Sequence, residues 1–170
     1  MALLAVALVS LDACDQAVSN DLVGQDGTFQ SLSLAATGGM PWPSRDGNEC
    51  NASYQNVVSV DAASSSITWD TCQYDSAQSH TIVARGSRTT TLAELETIRQ
   101  ALRAVQVGNH GYCGADKASV TLDIWVGGFL GRYVDDFYGC HPPVDGRTFV
   151  MNIDQLEYTL WALVPSPAVV

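Results

Sequence analysis

The sequence predicts an α+β fold: a mainly antiparallel sheet with two helices packed on one face, stapled by two disulfides. Three observations carry that expectation. Short runs alternate apolar and polar residues at the period of a strand with one buried face, most clearly Val120, Leu122, Ile124 and Val126. Two longer segments repeat apolar residues at the spacing of a helical stripe. Four cysteines, Cys50, Cys72, Cys113 and Cys140, are scattered without a C-x-x-C pair, the usage of a chain oxidised into bridges. A length of 170 residues suits a single domain around one core.

Taken in order, the elements begin with a strand after Phe29, where Leu32, Leu34 and Ala36 share a face and Gly38-Gly39 breaks the run. Residues Met40 to Ser53 hold two prolines around Trp42, several polar residues and Cys50, which reads as an irregular loop needing a bridge. The runs Asn56 to Asp61 and Ser66 to Cys72, joined by Ala62-Ala63-Ser64-Ser65, make a hairpin, and His80 to Arg85 a further strand punctuated by Gly86. A helix over about 92–106 follows from the stripe Leu92, Leu95, Ile98, Leu102 and Val105. Thr91 and Glu94 supply its capping box and Gly108 its C-terminal cap. Val120 to Val126 turns at Gly127-Gly128 into a partner strand, Phe129 to Phe137. A short strand at Thr148 to Met151 precedes a second helix carrying Ile153, Leu156, Leu160 and Leu163, with Asn152 as its N-cap and Pro165 as its stop.

The first residues, MALLAVALVSLDAC, form an apolar run closed by a small residue and a cysteine, the pattern of an export signal. Leu11-Asp12-Ala13-Cys14 resembles a bacterial lipobox, which implies cleavage at residue 13 and lipidation of Cys14. No Lys or Arg precedes the run, which points to a start upstream of Met1. Residues 14–27 are polar and aperiodic, as in a flexible tether; the α+β domain is expected over 28–164 and a tail over 165–170. With Cys14 set apart, the remaining four cysteines allow three connectivities. Chain order favours the local closures Cys50–Cys72 and Cys113–Cys140, each contributing about 3 kcal/mol. The net charge of −10 repels phosphate backbones, so nucleic acid is not an expected partner.

His110, Cys113, Cys140 and His141 offer a zinc donor set, but His141 directly follows Cys140 and a bridge uses both thiols more simply. A Cys113–His110 nucleophile pair lacks an orienting third group. Asp135 and Asp136 point to opposite faces of a regular strand, and adding Asp123 or Asp145 does not give the spacing of a calcium loop. Asp70 and Asp75 read as solvated strand acids. No metal ligands, cofactor or catalytic fingerprint are assigned. Trp42, bracketed by prolines, is hard to bury in a regular element, and with Met40 and Arg45 it is the candidate binding segment. The simpler reading, and the favoured one, is that Trp69, Trp125 and Trp161 pack the core and Trp42 covers its rim. The sequon Asn51-Ala52-Ser53 carries meaning only in a eukaryotic secretory route.

A strand ending in Gly-Gly (Leu34 to Gly39), an arginine-led helix start (Arg88 to Leu95), a C-G-A-D turn (Cys113 to Asp116) and a Y-V-D-D-F strand (Tyr133 to Phe137) resemble uncharacterised exported bacterial lipoproteins. The order of elements is also similar to emfourin, a bacterial inhibitor of thermolysin-type metallopeptidases. These motifs are structural and imply no activity; the N-terminal run and the cysteines set the expectation of an exported protein of the periplasm or outer cell envelope, monomeric and in contact with a membrane only through its lipid. The expected role is a non-enzymatic protein-binding module, with a peptidase among its possible partners. The alternative is a metal-dependent or carboxylate-based hydrolase using Asp135, Asp136 and His141.

Overall fold

The computed structural model describes residues 22–23, 27–38, 49–51, 53–76, 79–108, 118–135 and 148–166. The order of elements is β1 (Ser31–Thr37), β2 (Gln55–Asp61), β3 (Ser66–Asp75), β4 (His80–Thr89), α1 (Leu92–Ala104), β5 (Gln106–Gly108), β6 (Ser119–Val126), β7 (Phe129–Asp135), β8 (Thr148–Met151) and α2 (Ile153–Trp161). Six strands form an antiparallel sheet in the order β4-β3-β2-β1-β6-β7, and β5 pairs antiparallel with β8 in a separate ribbon. The α+β expectation holds.

Register explains how alternation becomes a core. Ile67, Val60, Leu32 and Ile124 lie side by side across four strands, and the next row holds Trp69, Val58, Leu34, Leu122 and Tyr133. These residues share one buried cluster with Leu95, Ile98 and Leu102 of α1 and Leu156 and Leu160 of α2, so both helices close over the same face. The other face carries the small, polar alternates. Ser87, Thr68, Ser59 and Ser33 form one row, and Ser59 donates to Ser33 at 2.8 Å. Leu22 and Val23, in the stretch expected to be a tether, are buried in the core, so the folded body draws on chain N-terminal to Thr28.

Several boundaries differ from expectation for identifiable reasons. Gly86 does not end its strand. β4 continues to Thr89, and Gly86 sits opposite Trp69, whose indole lies where a Cβ would be, 2.4 Å from it. The glycine makes room for the ring. β3 likewise runs on to Asp75, keeping ten residues paired with β4. The capping box at Thr91 and Glu94 is formed as expected, but α1 stops at Ala104 because Val105 turns extended (φ −68°, ψ 130°). Gly108 is then part of β5 and not a cap. Asn152 lies in the left-handed region (φ 65°) and makes no side-chain N-cap to α2; its amide donates instead to the Ala104 carbonyl at 2.8 Å. One asparagine thus closes the C-terminus of α1 at the start of α2. Trp125, expected in the core, is substantially exposed because its position in β6 points away from the helices.

Candidate functional site

The sheet has two unlike ends. At the tip end, Thr89, Ser66, Asp61, Ser31, Trp125 and Leu130 form a single row across all six strands. The connections there are short: the β2–β3 turn and the Gly127-Gly128 turn, whose positive φ values (58° and 85°) suit glycine. At the opposite loop end, β1 finishes at Thr37 beside Gln55 and Ser119, and β7 finishes at Asp135 beside Val120. The strand ends bounding residues 39–48 are there, as is Ser119, into which residues 109–117 lead, and Asp135, from which residues 136–147 depart.

The described part of the loop end is a disulfide with a polar lattice around it. Cys50 bonds Cys72 across 22 residues of sequence, with the Cα atoms 5.6 Å apart, as expected. The Cys72 amide donates to the Asn56 side chain at 2.7 Å, and the Ser53 amide donates to the Asn51 side chain at 2.8 Å. Arg85 reaches from β4 to Asp70 on β3 at 3.0 Å and to Glu49 at 3.3 Å, while the Tyr54 hydroxyl donates to Asp70. That hydroxyl, followed by the guanidinium of Arg85, holds the Asp70 carboxyl below its usual value. Desolvation and then the neighbouring carboxylate push the Tyr54 hydroxyl up, and Asp70 first among its neighbours raises the Arg85 guanidinium. The lattice therefore stays charged and tied at neutral pH, fixing the point where chain returns from residue 48 to the sheet.

The other residues singled out by sequence are distributed differently. Asp70 is in this lattice, and Asp123 is held by Arg132 through two contacts of 2.7 Å on the face opposite the helices. Neither carboxylate is available as a free acid. Met40, Trp42, Arg45, Cys14, His110, Cys113, Asp136, Cys140, His141 and Asp145 lie outside the described residues, and with them the second expected bridge. Cys50–Cys72 is the one disulfide among the described residues. Sequence reasoning missed Arg85, Tyr54 and Glu49, whose partnership depends on the β3–β4 register; a lone arginine in an alternating strand carries no such signal.

Comparison with protein families, curated proteins and solved structures finds no match for this chain. Among the described residues, no group of three His, Cys, Asp or Glu is placed to hold a metal ion. No described helix is long and apolar enough to cross a membrane.

Proposed function

We propose that this chain is an exported, non-enzymatic protein-binding module whose contact surface is the loop end of the sheet. One observation carries the reading: Thr37 and Gln55, on either side of residues 39–48, share that end with Ser119, into which residues 109–117 lead, and with Asp135, from which residues 136–147 depart. Loops gathered on one end of a rigid sheet are a recurrent way to present variable contact residues. The candidate residues Met40, Trp42 and Arg45, and the cysteine-bearing segments, all belong to these three stretches.

Topology also supports the Cys113–Cys140 pairing. Gly108 pairs with Thr148 where one segment begins and the other finishes, and Val120 pairs with Asp135 where they respectively finish and begin. Each segment therefore has both ends beside the other's. The Cys50–Cys72 disulfide and an apolar N-terminal run support export to an oxidising compartment, with Cys14 as the lipid attachment point. The alternative, a metal-dependent or carboxylate-based hydrolase, rests on Asp135, Asp136 and His141, whose side chains lie outside the described residues; the described carboxylates Asp70 and Asp123 add nothing to it, since each is paired with an arginine.

A photo-crosslinking amino acid placed at position 42 tests the assignment against one placed at position 92, on the far end. Adducts to a protein partner at 42 and none at 92 are expected; the reverse pattern would sink the loop-end assignment. Titration against a thermolysin-type metallopeptidase tests the narrower inhibitor reading through residual peptidase activity.

A further inference from the structure

The tip end is chemically the reverse of the loop end. Four of the six large apolar side chains exposed among the described residues are there: Leu92 (82%), Phe129 (81%), Leu130 (49%) and Trp125 (43%). Leu92 opens α1 directly after β4, where the Thr90 amide donates to Ser65 of the β2–β3 turn. The other three flank Gly127-Gly128. From Ile124 to Gly131 the hairpin carries no charge at all, in a chain of net charge −10. Near the start of α1, Arg88 and Glu94 neutralise each other at 2.8 Å, and Asp61 is the acid of the β2–β3 turn.

The N-terminal chain joins the sheet at this same end. The Gln30 amide donates to the Trp125 carbonyl at 2.8 Å, the Gly128 amide donates to the Gln30 side chain at 3.3 Å, and the Ala62 amide donates to the Gln30 carbonyl at 2.9 Å. Cys14 stands eight residues ahead of Leu22, which is buried in the core. Eight extended residues span at most about 28 Å, less than the roughly 34 Å of a ten-residue strand. An acyl group on Cys14 would therefore hold the body within its own dimensions of a bilayer; this clause alone rests on the proposed lipidation.

We propose that the tip end is a peripheral contact surface for a bilayer of electrically neutral headgroups, with Trp125, Phe129, Leu130 and Leu92 entering the interface. Aromatic and leucine side chains favour the boundary between headgroup and acyl chain. The uncharged hairpin enters it without stranding an ion, and the acidic body opposes an anionic surface. Contact through this end points the loop end away from the membrane. The proposal goes beyond the loop-end reading and does not depend on it.

The test uses the chain from residue 14 onward, which keeps every described residue, with Cys14→Ser so that no acyl group contributes. Co-sedimentation with phosphatidylcholine vesicles is expected, about tenfold weaker in the W125S/F129S/L130S variant. Replacing a third of the lipid by phosphatidylglycerol should weaken binding further, the opposite of what a basic peripheral protein shows. The single variant F129S, altering the most exposed hairpin side chain, gives a smaller loss and guards against a misfolded triple variant. No vesicle binding by the parent chain, or binding that the variants leave unchanged, overturns the proposal. So does concentration-dependent self-association without vesicles that the triple variant abolishes, because the apolar tip would then be covered by a second copy. Intact mass of the natively exported protein reads Cys14 acylation separately, so failure of either idea is distinguishable.

Discussion

The two ends of the sheet are held by different physics. At the loop end, a covalent bond and an exposed ion lattice hold Glu49, Cys50 and Tyr54 to β3 and β4. At the tip end, no bridge is described; the strands are closed by tight turns and by the ends of the two helices. Arg88 of β4 donates to both carboxylate oxygens of Glu94 on α1, at 3.1 and 2.8 Å, and to the Leu163 carbonyl just beyond α2 at 2.8 Å. One guanidinium thus ties a strand to both helices. One end is joined by a covalent bond and exposed ion pairs, the other by tight turns and a guanidinium clamp between a strand and both helices.

The largest expected effect falls on the covalent end. Removing the disulfide as C50A/C72A should lower stability by about 3 kcal/mol, from the loop entropy returned to the unfolded chain. Urea unfolding should show it as a shifted midpoint. If the midpoint did not move, the ion lattice alone would be holding that end, and the contrast between the ends would disappear.

Arg88→Ala should cost about 2 kcal/mol by removing charge-assisted hydrogen bonds from a half-buried site. It should also alter acid sensitivity. Arg88, then the Thr91 amide, holds the Glu94 carboxyl down to about 2, from 4.5 ordinarily. A lowered carboxyl contributes stability above its unfolded value and loses it as pH falls through the folded value. The parent should therefore weaken between pH 4.5 and 2, and R88A should show a flatter profile across that window. Equal slopes would show that the tip-end clamp is not electrostatic.

Asn152→Ala should cost about 1 kcal/mol, since it leaves the Ala104 carbonyl without that donor and puts alanine at positive φ. Asn152→Gly, free of the backbone strain, should recover part of the loss. Smallest of all, Leu92→Ser and Phe129→Ser should each change stability by no more than about 0.5 kcal/mol, because neither side chain is in the core. A large loss from either would mean that the exposed apolar rim is structural and would weaken the assignment of a surface role to it.

How much of this was legible in the sequence follows from the range of each signal. Alternation at Leu32, Leu34 and Ala36 and at Val120, Leu122 and Ile124 is local, and it located both strands and their buried face. Thr91 and Glu94 announced the start of α1 because a capping box is contained within four residues. Non-local facts were hidden. Gly86 looks like a stop until Trp69 is seen opposite it, and Asn152 looks like an N-cap until Ala104 is found beside it. At the candidate surfaces, the Cys50–Cys72 bond was readable from cysteine order, whereas Trp125 was assigned to the core from its chemistry alone, against the alternation of its own strand. That one-residue parity separates a buried tryptophan from a displayed one.

The central position of β1 sets an order on folding. Residues 31–37 pair on one side with β2, about twenty residues later, but on the other with β6, whose residues 119–126 follow far behind. A chain emerging N-terminus first can close β1 through β4 as a meander while the second edge of β1 stays open. That edge, bearing Leu32 and Leu34, is a ready template for wrong pairing until β6 arrives. Pairing across so long a stretch of chain carries the larger loop-closure cost, so a holding chaperone that shields residues 31–37 would cover the edge that waits longest for its partner.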